Sequence, residues 1–281
     1  MTPIPPKLGI LAGGGTLPAL LVDACHKAGR GVHVVTFKGQ PKPDGLTLTD
    51  TLHTEVPLGH VSATLGALKA AGVAQVVLAG NLSKPSLFDL RPDLKAAKVL
   101  ASLWRQHDDD ILRHVCALLE AEGFSVVGAH TLLPDLLAGV GALGRCQPSE
   151  AERGDITLGL RVARALGAED VGQGVVVKDR VVIGVEAVEG TDALLQRCAA
   201  LRGKGQGGVL VKVCKPAQDM RVDLPAIGPK TIQTLAQHGY AGVAVEAGKT
   251  LLLESDKTLA LADKNGIFIY GAPHDGASSA G

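Results

Sequence analysis

The stretch KLGILAGGGTLPALLVDACHKAG, residues 7–29, decides how the chain is read. Leu8, Ile10 and Leu11 form a short apolar run suited to a buried strand. Gly13, Gly14, Gly15 and Thr16 follow, and then apolar residues recur at helical spacing until Gly29 ends the pattern. Strand, glycine loop and helix in that order make the first half of a βαβ unit, which sets the loop at a strand's carboxyl end and a helix's amino end. The same rhythm continues outward. GVHVVTF reads as a second strand, HVSATLGALKAAG as a helix, AQVVLAG as a third strand, LKAAKVLASLWRQ and DDILRHVCALLEAEG as helices, and FSVVGA as a fourth strand. Such alternation predicts an α/β fold, with a Rossmann-like parallel sheet covered by helices over residues 1–132.

The pattern loosens in LLPDLLAGVGALGRCQPSE, where Gly and Pro crowd together, and a linker is expected at 133–148. A second, mixed α/β domain is expected over 149–275. Its helices are EAERGDITLGLRVARALG, TDALLQRCAALRGKG and GPKTIQTLAQHG. Its strands come from DVGQGVVVKDRVVIGVEAVEG (two, joined by a Lys-Asp turn), GVLVKVCKP, AGVAVEAGKTLLLE and NGIFIYGAP. The tail GASSAG, 276–281, is expected to be disordered.

A chain of 281 residues is long enough for two such cores. Lys plus Arg and Asp plus Glu balance at 28 each, so no global positive field attracts nucleic acid. One Trp, two Tyr and four Phe are too few for base stacking along a single strand, and nucleic acid is therefore not expected as a partner. The five cysteines, Cys25, Cys116, Cys146, Cys198 and Cys214, are scattered without a C-x-x-C pair and suggest neither a zinc site nor a disulfide framework. MTPIPPKLGILAGGG lacks a signal peptide's pattern, and no apolar run reaches the roughly 18 residues of a spanning helix, so a cytoplasmic location is expected.

Four places carry candidate chemistry. Gly13, Gly14, Gly15 and Thr16 suit a phosphate contact or a plain tight turn. Pro18 stands where a dinucleotide fingerprint wants glycine, and the second strand ends in Phe37 and Lys38 instead of an acid, which disfavours a nicotinamide cofactor. At the end of the third strand, GNLSKP offers Gly80 for close backbone approach, Asn81 for a base or ribose and Lys84 for phosphate. In VEAVEGTDALL, Glu186 and Glu189 bracket a strand end, while Gly190, Thr191 and Asp192 open a helix, a second anion-friendly terminus. The aspartates of HDDDILRHV read as helix-start charges, with His107 and His114 structural.

The fourth place is VLVKVCKPAQDMRVDLPAIGP, residues 209–229. Lys212, Lys215 and Arg221 can neutralise phosphate oxygens, while Asp219 and Asp223 can hold a divalent metal. Together these serve the charge neutralisation and water activation that phosphoanhydride hydrolysis needs beside a stabilised leaving group. A solvated loop with surface ion pairs is the competing reading.

AGGGTLP, GNLSKP, HDDDILRHV, DVGQGVVV, VEAVEGTDALLQR, VLVKVCKPAQDMRVDLPAIGPKTI and AGVAVEAGKTLLL, in that order, resemble the LpxI family, the UDP-2,3-diacylglucosamine pyrophosphatases of lipid A biosynthesis. The resemblance runs from about residue 7 to residue 270. It implies hydrolysis of UDP-2,3-diacylglucosamine by water and Mg²⁺ or Mn²⁺, giving UMP and 2,3-diacylglucosamine 1-phosphate (lipid X). It implies that water attacks the phosphorus on the sugar side, and that Asp223, the aspartate of DLP, matches the family's essential carboxylate. On this resemblance Asp223, Asp219 and Glu186 are the metal candidates, Lys212, Lys215 and Arg221 the phosphate-neutralising ones, Gly13 to Thr16 with Gly80 and Asn81 the uridine side, and Gly190 and Thr191 the sugar-phosphate side. It further implies a homodimer and, because two acyl chains carry on the order of 15 kcal/mol of transfer free energy, weak peripheral contact with the cytoplasmic face of the inner membrane. The rival readings are a nucleotide-sugar phosphotransferase and a non-catalytic nucleotide- or lipid-binding protein.

Overall fold

The structure, a computed structural model, describes residues 5–48, 52–82, 108–201, 203, 207–216, 218–222 and 224–273, with 108–111 described in backbone only. Lys84, His107, Asp223, the expected helix LKAAKVLASLWRQ and the tail lie outside the described residues. The chain divides into two compact units: Met1–Leu133 with Asp219–Asp223, and Pro134–Gln218 with Leu224–Gly281.

The first unit is built on a sheet ordered β3-β2-β1-β4-β5, from β1 (Leu8–Ala12), β2 (Val32–Lys38), β3 (His53–Pro57), β4 (Gln75–Ala79) and β5 (Ser125–Val126). Every pairing is parallel. Helix α1 (Leu17–Lys27) packs Leu21, Val22 and Cys25 onto Leu8, Ile10 and Val34. Helices α2 (Val61–Ala70) and α3 (Asp108–Ala121) cover the other face, where Leu65, Leu68, Cys116 and Leu119 meet Leu11, Val35 and Val76. Strand β1 is buried along its whole length, which a strand covered on both faces requires. The sequence pattern missed β3: HTEVP is polar, ends in proline and sits at the sheet edge, where pairing with β2 and not side-chain alternation makes it a strand. The expected fourth strand, FSVVGA, shrinks to two residues before the short helix α4 (Ala129–Leu132).

The second unit holds a sheet ordered β6-β13-β11-β9-β7-β8. Its strands are β6 (Gly141–Ala142), β7 (Gly174–Lys178), β8 (Val181–Val185), β9 (Val209–Lys212), β11 (Gly242–Glu246) and β13 (Phe268–Ala272). Strands β9, β11 and β13 run parallel, while β7 and β6 run against their neighbours. A separate pair joins β10 (Ala226–Ile227) to β12 (Leu251–Leu252). Helix α5 (Glu150–Ala168) covers one face through Ile156 and Ala163, against Val209, Val211, Val175 and Val177. Helices α6 (Gly190–Leu201), α7 (Pro229–Gln237) and α8 (Ser255–Lys264) cover the other, where Leu194, Leu195, Ile232, Leu235 and Ala262 meet Val176, Leu210, Val245 and Ile269. The sequence reading passed over α8, whose segment SDKTLALADK buries only Thr258 and Ala262 and has little apolar periodicity to find.

Local chemistry explains two boundaries. Ser149 and Glu152 form a reciprocal capping box that starts α5. The β7–β8 turn falls on Asp179 and Arg180, one residue later than expected, and both have positive φ, 51° and 62°. Buried Asp155 of α5 stabilises that costly conformation by accepting both backbone N–H groups, at 3.1 and 2.6 Å. No helix among the described residues is long and apolar enough to cross a membrane.

Candidate active site

In the first unit the strand order reverses between β1 and β4, and ligands of open parallel sheets sit at such a point, beyond the carboxyl ends. Gly13 to Thr16 follow β1, and Gly80 and Asn81 follow β4. The two loops lock together. Gly13 donates to Ala79 O at 2.9 Å, Gly14 to Asn81 O at 2.9 Å, and Asn81 back to Gly14 O at 2.9 Å. A Cβ at Gly13 would lie 2.4 Å from Asn81 O, and one at Gly80, where φ is +91°, 2.5 Å from Gly14 O. These glycines permit backbone contact between loops, and the N–H groups of Gly13 and Gly14 are used within that contact. Thr16 caps α1 without a side-chain hydrogen bond.

A groove of about 560 Å³ lies elsewhere in this unit, lined by Lys7, His33, Thr54 and the small residues of α2. Lys7 and His33 stand at the amino-terminal ends of β1 and β2, the opposite end of the sheet from the glycine loops. Burial, with Lys7 and His53 nearby, pushes the His33 pKa down.

In the second unit polar groups gather at one end of the sheet. Lys212 ends β9, Glu186 follows β8, Gly174 opens antiparallel β7 opposite Lys212, and Thr191 stands in the first turn of α6. Lys212 and Glu186 are each only 7% exposed. Lys212 Nζ donates to Thr191 Oγ1 at 3.0 Å, and Thr191 Oγ1 donates to Glu186 Oε1 at 2.7 Å. Glu186 Oε2 is buried with no hydrogen-bond partner. Gly190, at φ +79°, turns the chain into α6. Glu189 is occupied by the same turn: it accepts from Ala187 N and from Arg197, whose guanidinium holds its carboxyl below the usual range. Asp192 pairs with Lys230 at 2.6 Å, with both side chains largely exposed.

The loop after β9 splits its residues between the units. Lys215 Nζ meets Asp170 Oδ1 at 2.6 Å, and Gln218 Oε1 accepts from Lys215 N at 3.0 Å, within the second unit. Asp219 and Arg221 belong to the first. Arg221 donates through Nε to both Asp219 oxygens, at 3.0 and 3.1 Å, and through Nη2 at 2.7 Å, while Nη1 reaches Glu120 at 2.6 Å. These contacts hold the Asp219 carboxyl below its ordinary pKa and push Arg221 up. Behind them burial raises the Cys116 thiol to about 11.

The candidates therefore separate. Lys212, Thr191 and Glu186 come together; Lys215 and Arg221 each sit in an ion pair of their own. Among the described residues no three His, Cys, Asp or Glu side chains gather as metal ligands. Asp219 would have to release Arg221 to bind a cation, whereas Glu186 Oε2 would release nothing. One open carboxylate oxygen fits Mg²⁺ when water and substrate phosphate complete the shell. Sequence reasoning missed Asp170, Gln218 and Glu246, which support this end of the sheet. Glu246, 2% exposed, accepts from Arg164 Nε at 3.0 Å and Cys214 N at 3.1 Å. An acid interrupting the apolar run GVAVEAG was the available signal for it.

Fold and site together define a two-domain α/β protein with polar clusters at the carboxyl ends of strands in both units. The LpxI N-terminal domain matches residues 7–136 and the LpxI C-terminal domain residues 139–270. The chain is 41% identical over 274 residues to the UDP-2,3-diacylglucosamine pyrophosphatase LpxI of Caulobacter vibrioides, covering 94% of this chain and 97% of that protein. The chain belongs to the LpxI family.

Proposed function

We propose that this protein hydrolyses the diphosphate of UDP-2,3-diacylglucosamine to UMP and 2,3-diacylglucosamine 1-phosphate. The observation that carries this reading is the 41% identity across nearly the full length of a relative named for that substrate.

Water attacks the phosphorus on the sugar side, the bond from that phosphorus to the bridging oxygen breaks, and the bridging oxygen leaves with UMP. Asp223 orients the water. Lys212, buried at the start of α6, is the best-placed cation for the transferred phosphoryl. Lys215, in the same unit, joins it by exchanging Asp170 for a phosphate oxygen, and Arg221, now paired with Asp219, is the cation candidate of the first unit. Gly15 and Thr16 with Asn81 receive the uridine end, and Gly190 and Thr191 the sugar-phosphate end. Mg²⁺ or Mn²⁺ would be held by Asp223 and would supply charge neutralisation and a more acidic water.

The test is incubation with UDP-2,3-diacylglucosamine, Mn²⁺ or Mg²⁺ and ¹⁸O-water, with mass analysis of both products. The label belongs in the sugar 1-phosphate and not in UMP. Transfer to an added alcohol in place of water would mean a phosphotransferase, and binding without UMP release a non-catalytic protein. A cytoplasmic homodimer touching the membrane peripherally completes the proposal. Light scattering and flotation with anionic and neutral vesicles test those two parts.

A further inference from the structure

The chain Lys212–Thr191–Glu186 has a consequence set by valence. A hydroxyl has one proton and two lone pairs. Thr191 gives its proton to Glu186 Oε1 at 2.7 Å and one lone pair to Lys212 Nζ at 3.0 Å. A single lone pair remains, so Thr191 cannot donate to a phosphate oxygen while Glu186 holds its proton.

The surroundings are built to seat Glu186. Its backbone N–H donates to Gly174 O at 2.7 Å. A Cβ on Gly174 would lie 2.5 Å from Glu186 Oε2, and one on Gly172 2.1 Å from Glu186 O. Lys212 and Glu186 are both buried, and burying polar side chains of this kind is poor value for stability alone, since apolar residues of like volume serve as well. Lys212 shares its sheet face with Leu210, the face that α6 covers, so the ammonium is delivered to the helix start.

Resting on the proposed hydrolysis, we propose that Glu186 is a positioning residue. It makes Thr191 Oγ1 an acceptor-only contact, with one lone pair taken by Lys212 Nζ and the other left for a hydrogen-bond donor of the substrate.

Steady-state UMP release is measured for Glu186→Ala, Glu186→Gln, Thr191→Val, Thr191→Ser and the Glu186→Ala/Thr191→Val double variant, with a melting temperature for each. Glu186→Ala should lower kcat by about tenfold or more and change KM by less than about threefold. Glu186→Gln, whose amide oxygen accepts the same hydrogen bond, should recover most of that loss, and Thr191→Ser should stay near wild type. The double variant should be no slower than Thr191→Val alone, because Glu186 acts through Thr191. Additive losses overturn the proposal, as does wild-type kcat in folded Glu186→Ala. If Glu186→Ala does not fold, the same cycle is run with Glu186→Asp, whose shorter carboxylate no longer reaches Thr191 Oγ1 and which must then lose its effect in the Thr191→Val background. If the wild-type protein releases no UMP, the hydrolase reading fails. The positioning is then read from the slowly exchanging hydroxyl proton of Thr191, identified by its absence in Thr191→Val. That signal should be present in wild type and Glu186→Gln and lost in Glu186→Ala; its persistence in Glu186→Ala overturns the proposal.

Discussion

Arg221 grips both oxygens of Asp219, and this pairing sets how the loop after β9 responds to acid. The Asp219 pKa is depressed chiefly by its hydrogen bonds to Arg221, so the contribution is present above the unfolded carboxylate value and lost as pH falls through the lower folded one. The Arg221 side chain is 41% exposed, and solvent screening limits the pair to about 1 kcal/mol or less. Asp219→Asn should therefore lower the melting temperature by a constant few degrees between about pH 5 and 8, with the gap to wild type closing below about pH 4. A gap unchanged at pH 2 would contradict the pairing. Asp223→Ala should abolish UMP release and retain substrate, a result read by a turnover assay beside a binding assay. Polar chemistry at these positions was legible from sequence, because Lys212, Asp219, Arg221 and Thr191 are conspicuous. Their assortment was not: it depends on the Gly174–Lys212 register and on the space that Gly172 and Gly174 leave for Glu186, both tertiary facts.

Turns carry the next scale. The β7–β8 hairpin places two non-glycine residues at positive φ and relies on Asp155 to accept both N–H groups. Asp155→Ala leaves those donors without their partner and should cost about 1–3 kcal/mol, measured by urea unfolding. In the first unit Gly80→Ala combines a left-handed φ with a 2.5 Å approach to Gly14 O. The β1 and β4 loops must separate to admit it, so both the melting temperature and UMP release should fall; wild-type values for both would show that the loops need not be locked. The opening strand–glycine–helix stretch was enough to indicate a parallel sheet because β1 is buried throughout and α1 follows at once. Elements such as β3 and α8 were not readable, since their places come from partners distant in sequence.

At the scale of the whole chain, the balanced charge leaves cation binding to a local cluster, and removal of divalent ions makes the proposal testable without mutation. Dialysis against EDTA should abolish UMP release, and Mn²⁺ or Mg²⁺ should restore it; full activity after chelation would remove the metal from the proposal. The covering of the first unit depends on residues encoded far downstream. Arg221, gripped by Asp219, donates to Glu120 of α3, and Val222 packs against the apolar cluster of Leu119 and Cys116. A ribosome must therefore translate about four fifths of the message before the amino-terminal half can receive its last piece. Until then the surface around Leu119 awaits its cover, and a nascent chain halted at the boundary between the halves should expose it to chaperones and proteases.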